Sequence, residues 1–423
     1  MSLKESDPLI WNLNYRKSYL KGDITAGITV AIMLIPQGLA YAMLAGLPPI
    51  IGLYTATIPL LIYALLGSSR HLSVGPVSIV ALLTFSGVST LVPPGSEHFF
   101  SLVIILTFLV GTIQILLAII GAGTLVKFIP HSVISGFTSA AAIIIGMNQL
   151  ENLIQINMDN GGTALQLFLE FLRKLPEAHV ITTAIGIGSI AILITLKKNF
   201  PKIPGPLFVV AGSMLIVSFF QLHHKGVSII KDVPSGFPMI TAPMLNVDVI
   251  LSLLPTAITI ALIGYVESIT IAKYIANKEN YTLDTNQELA GLGFANFIGS
   301  LFSSFPVAGA FSRTAVNYQS GGKTKFASIV TVIIMILTLL YLTQLFYYLP
   351  DAVLAAIIIV SIYNLIDVRK AVELFSANKT EGWSLVMTFI ATLTFGVEKG
   401  LLIGVGFSLA VSLFSLKWLY VTR

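Results

Sequence analysis

The chain has 423 residues, no cysteine, a formal charge of +5, and 55% apolar against 10% charged residues, with a mean hydropathy of +0.90. About a quarter of the residues of a soluble protein are charged, so this composition excludes a string of soluble domains and describes a membrane protein. Without cysteine there is neither a disulfide framework nor a thiolate metal site.

Residues 1–23 read as a cytoplasmic N-terminal segment. The apolar run 24–46 is too long for a signal-peptide core and is read as a retained first span. Spans of about 20 apolar residues follow near 49–67, 99–121, 132–150, 180–196, 206–222, 249–274, 326–349, 351–366, 382–397 and 400–420. Three further segments, 74–91, 287–304 and 307–319, are interrupted by Gly, Pro, Ser or Asn. The expectation is an all-α polytopic protein of fourteen membrane segments with both termini on one side. The loops are short apart from those around Asn152 to Pro176 and His223 to Val247, and Pro201 to Pro206 forms a stiff turn.

The basic residues test that count. With a cytoplasmic N-terminus, only Arg173, Lys174, Lys225, Lys231 and Lys399 of the 24 Lys and Arg fall outside, and Arg313 lies within a segment. The positive charge therefore marks topology, and no nucleic-acid partner is expected.

Two glycine-opened polar stretches, Val74-Gly75-Pro76-Val77-Ser78 and Ala308-Gly309-Ala310-Phe311-Ser312-Arg313, occupy corresponding places in the two halves. A shift of 234 residues lays Gly75 and Ser78 on Gly309 and Ser312. A shift of 230 lays residues 26–31 on 256–261 and Gln37 on Glu267. Two seven-segment repeats follow, and an odd number of spans per repeat inverts the second.

Interrupted segments matched across repeats are the best sequence pointer to a transporter's binding site. Gly75 and Gly309 are expected to open half-helices whose first-turn N–H groups carry partial positive charge. Such ends meeting near the midplane, beside the Ser78 and Ser312 hydroxyls, form an anion site, although glycine in membranes more often marks helix packing. Arg313 at membrane depth needs water, a partner or a substrate, and its fork of donors suits a carboxylate or an oxyanion. The alternatives are a pair with Glu267 or snorkelling to an interface.

Glu267 reads as the only carboxylate deep within a span. Desolvation favours its neutral acid and a nearby Arg313 its ionised form, so it is a candidate proton-coupling group or one half of a salt bridge. Gln37 and, one helical turn on, Tyr41 share a face. They either line a cavity or hydrogen-bond between helices.

The six histidines show no persuasive metal-ligand spacing, and Gly-Gly-Lys-Thr at 321–324 lacks the strand and glycine spacing of a phosphate-binding loop. No metal, cofactor or enzyme chemistry is expected.

Gly22 to Leu83, Ile129 to Leu150 (IPHSVISGFTSAAAIIIGMNQL) and Phe305 to Thr324 (FPVAGAFSRTAVNYQSGGKT) resemble the signatures of the sulfate permease family, relatives of the animal anion exchangers that include prestin. The resemblance implies a seven-plus-seven inverted fold with half-helices in segments 3 and 10. A mobile core (24–125 and 247–349) would move in an elevator-like step against a gate (126–246 and 350–423). It matches Gln37, Tyr41, Val77, Ser312 and Arg313 to the anion pocket, with Ser78, Ala310 and Phe311 beside them, and Glu267 to the carboxylate of proton symport. The function it implies is uptake of sulfate or a similar dianion with a proton, by a homodimer in the cell membrane with both termini cytoplasmic. Bicarbonate or a C4-dicarboxylate is the alternative substrate, and an uncoupled channel or exchanger, or a nucleobase-proton symporter, the alternative class. Family members usually continue into a cytoplasmic STAS domain, which is expected to be absent after Arg423.

Overall fold

The computed structural model describes residues 15–124, 131–158, 164–200, 204–238, 240–243, 246–366, 368–377, 379–396, 399–400, 403–408 and 410–411. Most of the expected N-terminal segment, residues 201–203 of the stiff turn and most of the span expected over 400–420 lie outside the described residues. The chain divides into two compact units. One comprises Met1–Thr124, Pro201–Met214 and Ile230–Leu349, the other Leu125–Phe200, Leu215–Ile229 and Pro350–Arg423.

The helices in chain order are α1 (Leu20–Leu44), α2 (Pro49–Thr55), α3 (Ile58–Leu66), α4 (Ser78–Ser89), α5 (Glu97–Ile119), α6 (His131–Ile154), α7 (Ala164–Lys174), α8 (Val180–Asn199) and α9 (Gly205–Phe219). After them come α10 (Val247–Lys278), α11 (Thr285–Leu301), α12 (Phe311–Gln319), α13 (Phe326–Leu337), α14 (Asp351–Ile362), α15 (Val368–Ala377) and α16 (Lys379–Phe395). Two short strands, β1 (Val74–Gly75) and β2 (Ala308–Gly309), pair antiparallel, so the fold is helical with one small sheet rather than wholly helical. Among the described residues, seven helical stretches are long and apolar enough to cross a membrane, which makes this an integral membrane protein.

Several expected spans are subdivided. The run 49–67 becomes α2 and α3, each with proline in its first turn, where a missing N–H costs nothing. The run 326–349 begins as α13, widens into a π turn (Thr338–Leu342) and ends in a tighter 3-10 turn (Thr343–Tyr348). Side chains cap other starts in the expected way: Asp284 Oδ1 accepts from the Asn286 and Gln287 amides (2.9 and 3.0 Å), and Ser96 Oγ from Phe99 (3.1 Å). The loop expected from Asn152 to Pro176 contains α7, and α15 is a second helix that the apolar-run reading missed.

In the first unit, α1 packs on α2, α12 and α13, while α11 packs on α3 and α5. The backbones of α1 and α2 meet at Gly38 and Gly52, where a Cβ on Gly52 would strike the Gly38 carbonyl. Close approach of this kind is what small residues permit between membrane helices, where dispersion replaces hydrophobic drive. In the second unit, α6 packs on α8, α14 and α16. Ser228 Oγ donates to Asp351 Oδ2 (2.6 Å), closing the short bridge between Ile229 and Pro350.

Two carboxylates in first helical turns, Asp23 of α1 and Glu288 of α11, are both inaccessible. A buried carboxylate survives where donors saturate it. Glu288 accepts from Tyr63 Oη (2.6 Å), from Ser68 N (2.6 Å) and Oγ (2.8 Å), and from the Ser69 amide. Asp23 Oδ1 accepts from the Lys323 and Thr324 amides (2.6 and 3.0 Å), and Oδ2 from Thr324 Oγ1 (2.6 Å) and Tyr15 Oη (3.0 Å). The Gly-Gly-Lys-Thr loop thus cradles an anion, but the anion is the protein's own carboxylate, presented from the other half of the chain.

Next to this loop lies His71, buried with its ring edge-on to Tyr318. Its Nε2–H donates to the Gly322 carbonyl (3.1 Å), and Nδ1 is buried without a partner. Burial holds the imidazole down to about 4 from its ordinary 6.5, with Glu279 pulling the other way and Lys323 and Arg70 opposing a charge. Between those values the unfolded chain binds a proton that the folded one refuses, so stability falls as pH falls from about 6.5 towards 4. Thermal unfolding of detergent-solubilised protein at pH 7 and pH 5 should show a smaller acid-induced drop for His71→Gln than for the parent.

Candidate anion site at the strand junction

The ladder pairs Val74 with Gly309 and Gly75 with Ala308. The same 234-residue shift that relates the two sequence stretches exchanges these pairs, taking 74 to 308 and 75 to 309. Because the strands are antiparallel, the helices that follow them leave the junction in opposite directions with their N-terminal ends towards it. The helices start at Ser78 and Phe311, not at Gly75 and Gly309 as the sequence suggested, because both glycines are held in the ladder. Neither start has a side-chain cap: Val77 and Ala310 occupy the N-cap positions in extended conformation and offer no acceptor. First-turn N–H groups there need acceptors from elsewhere.

The junction is fixed from several sides. Ser268 Oγ accepts from Gly309 N (2.7 Å) and donates to the Gly264 carbonyl (2.5 Å). Asn296 binds Val307 as a neighbouring strand would, accepting from its N–H (2.7 Å) and donating to its carbonyl (3.2 Å). Asn296 Nδ2 also donates to Gln114 Oε1 (2.9 Å), whose amide donates to the Ala261 carbonyl (3.1 Å). Thr314 Oγ1 accepts from Ser73 N (3.0 Å) while donating to the Ala310 carbonyl (2.6 Å), and Ala310 N donates to Ser73 O (3.0 Å). Sequence reading noted Asn only as an interruption of the 287–304 run. Ser268 and Thr314 carry no signal, since serine and threonine bonded to their own helix are ordinary in membrane spans, and no pattern singles out Gln114.

Arg313, on the first turn of α12, is 1% exposed. Its Nη1 donates to Gln37 Oε1 (3.1 Å), whereas Nε and Nη2 are buried without hydrogen-bond partners. Among the described residues it forms no ion pair, so neither the expected alternative of a Glu267 bridge nor snorkelling describes it. Nη2 stands beside β1, 3.4 Å from where a Cβ on Gly75 would lie. Tyr41 and Glu267 both interact with the guanidinium electrostatically. Glu267 is half-buried, and its Oε2 is enclosed without a hydrogen-bond partner.

The other residues singled out from the sequence surround the same junction. Gln37, Tyr41, Val77 and Ala310 are buried, Ser78 is half-buried, and Phe311 and Ser312 are exposed. Hydroxyls at both helix starts, uncapped N–H groups and a fixed cation with unused donors make an arrangement that can accept an oxyanion. Nothing in it resembles a nucleophile with its base.

The Sulfate permease family pattern matches residues 20–388. "Probable sulfate transporter 4.2" of Arabidopsis thaliana is 40% identical over 410 residues, which cover 95% of this chain and 60% of that protein. The chain therefore spans less than two thirds of that relative's length. Among solved structures, the murine Solute Carrier 26 family member A9 anion transporter in the inward-facing state is similar with a TM-score of 0.91 at 26% identity, covering 96% of this chain and 70% of that one. The transmembrane domain of the cyanobacterial bicarbonate transporter BicA shares the fold with a TM-score of 0.80 at 21% identity, covering 93% and 98%.

Because Asn296 alone satisfies both backbone groups of Val307, Asn296→Ala should cost about 2–4 kcal/mol through orphaned buried partners. A marked fall in thermal unfolding midpoint, not recovered in Asn296→Leu, is the expected readout.

Proposed function

The chain belongs to the sulfate permease family, and we propose that it takes up sulfate or a similarly sized dianion by secondary, proton-coupled transport. The observation that carries the reading is Arg313, fully buried yet with Nε and Nη2 unused, set between two uncapped helix starts. Burying a guanidinium without an anionic partner is expensive, and an arriving oxyanion supplies the acceptors that Arg313 and both first turns lack. Ser78 and Ser312 add hydroxyls, Gln37 and Tyr41 close one side, and Val77, Ala310 and Phe311 bring the helix starts to the anion. Relatives named as sulfate transporters support sulfate as the substrate.

Glu267 is the proposed proton carrier. Its enclosed Oε2 faces the field of Arg313, and neutralising it compensates the charge that a dianion brings. Fourteen segments in two inverted repeats of seven are supported by the 234- and 230-residue shifts and by a ladder that the first shift exchanges. In this reading the core, 24–125 and 247–349, carries the anion in an elevator-like step past the gate, 126–246 and 350–423. The protein works as a homodimer in the cell membrane with both termini cytoplasmic.

Arg313→Ala should abolish sulfate binding in isothermal titration while leaving a folded protein. Undiminished binding would exclude the site. For coupling, Glu267→Gln in proteoliposomes should retain sulfate exchange but lose its acceleration by an inward proton gradient. Acceleration that persists would remove Glu267 from the proton path.

A further inference from the structure

We propose that α7 (Ala164–Lys174) is an interfacial helix that lies along the bilayer surface with its free apolar face among the outer ends of the lipid acyl chains. The proposal does not rest on the transport reading, since it concerns only the second unit and the lipid around it. At 100° per residue, the side chains of α7 fall into three sectors. Leu167, 3% exposed, and the half-buried Phe171 face the protein, where α7 packs on α6 and α16. Leu165, Phe168, Leu169 and Leu172 form a second arc about 100° wide, and each is between 45% and 67% exposed. Gln166, Glu170, Arg173 and Lys174 form the third.

One sector covered by protein, one exposed and apolar, and one polar, side by side, are what a helix needs at a boundary between oil and water. A helix wholly in water would expose the leucine arc at a cost of about 25 cal/mol per Å². A helix crossing the bilayer would bury its charged arc in hydrocarbon. Chain connectivity puts α7 at that boundary: it joins α6 to α8, and both belong to the helices long and apolar enough to span a membrane. With only 11 residues, α7 itself is too short to cross. Its polar arc is tied down by Glu170 and Lys174, paired at 2.8 Å one turn apart, and by Lys174 Nζ donating to the Asn157 carbonyl (2.5 Å). The orientation about the helix axis is therefore fixed, and the leucine arc presents one face. Lipid is the occupant that fits, because it offers apolar chains and a polar boundary side by side along the length of the helix.

The chain has no cysteine, so single nitroxide labels report position without a modified background. Leu165→Cys, Leu169→Cys and Leu172→Cys on one arc, with Gln166→Cys and Arg173→Cys on the other, are labelled in phosphatidylcholine vesicles. Collision rates are then read with oxygen, which concentrates in hydrocarbon, and with a water-soluble nickel chelate. The expected result is an oxygen-to-nickel ratio several-fold higher at the three leucine positions than at Gln166 and Arg173. Nickel accessibility at all five positions would put α7 in water and overturn the proposal. Leucine positions shielded from both reagents would mean that protein, such as a second copy, covers the face, and would overturn it equally. Three independent leucine positions keep the outcome readable if one variant fails to fold.

Discussion

A buried guanidinium held between two helix starts that have no caps of their own sets the terms for the rest of the first unit. Uncapped N–H groups and unused arginine donors in a dry setting are costly. The surrounding structure must therefore be stable enough to keep them in place. The antiparallel ladder brings α4 and α12 end to end, and Ser268, Asn296, Gln114 and Thr314 hold the backbone on either side of it. All four are fully satisfied polar contacts inside an apolar matrix, where an unmade bond costs more than a made one contributes. The result is a rigid frame around a small set of deliberately unsatisfied donors.

The contrast with the other buried charges is instructive. Asp23 and Glu288 are closed anion sites, each filled by a carboxylate from within the chain and saturated with donors. Their work is to join segments far apart in sequence, α1 to the 321–324 loop and the 67–69 turn to α11. Arg313 and Glu267 are open by comparison, each with enclosed atoms that no protein group satisfies. Anchoring and the proposed anion site use the same chemistry, complete in one place and incomplete in the other.

Much of this junction could be read from the sequence. Gly75 and Gly309, Ser78 and Ser312, and the unmatched Arg313 stand out because polar residues are rare in an apolar chain and a fixed shift relates the two stretches. The exact helix starts were not readable, because the ladder that holds the glycines forms between residues more than 230 positions apart. Long separations likewise hid Asp23 and Glu288, whose donors are backbone amides and Ser, Thr and Tyr hydroxyls drawn mostly from the opposite half of the chain. Asn296 was visible as polarity but not as a strand surrogate for Val307. α7 was missed for a different reason: a search for continuous apolar runs passes over an 11-residue helix whose leucines recur at three and four positions.

The proposed site holds an oxyanion between the two helix starts and Arg313, and selenate, isosteric with sulfate and marked by its heavy atom, tests this most directly. Anomalous scattering from crystals grown in selenate should give one peak within hydrogen-bonding reach of the Arg313 guanidinium and the first turns of α4 and α12. A peak elsewhere in the protein, with the junction empty at saturating selenate, would contradict it.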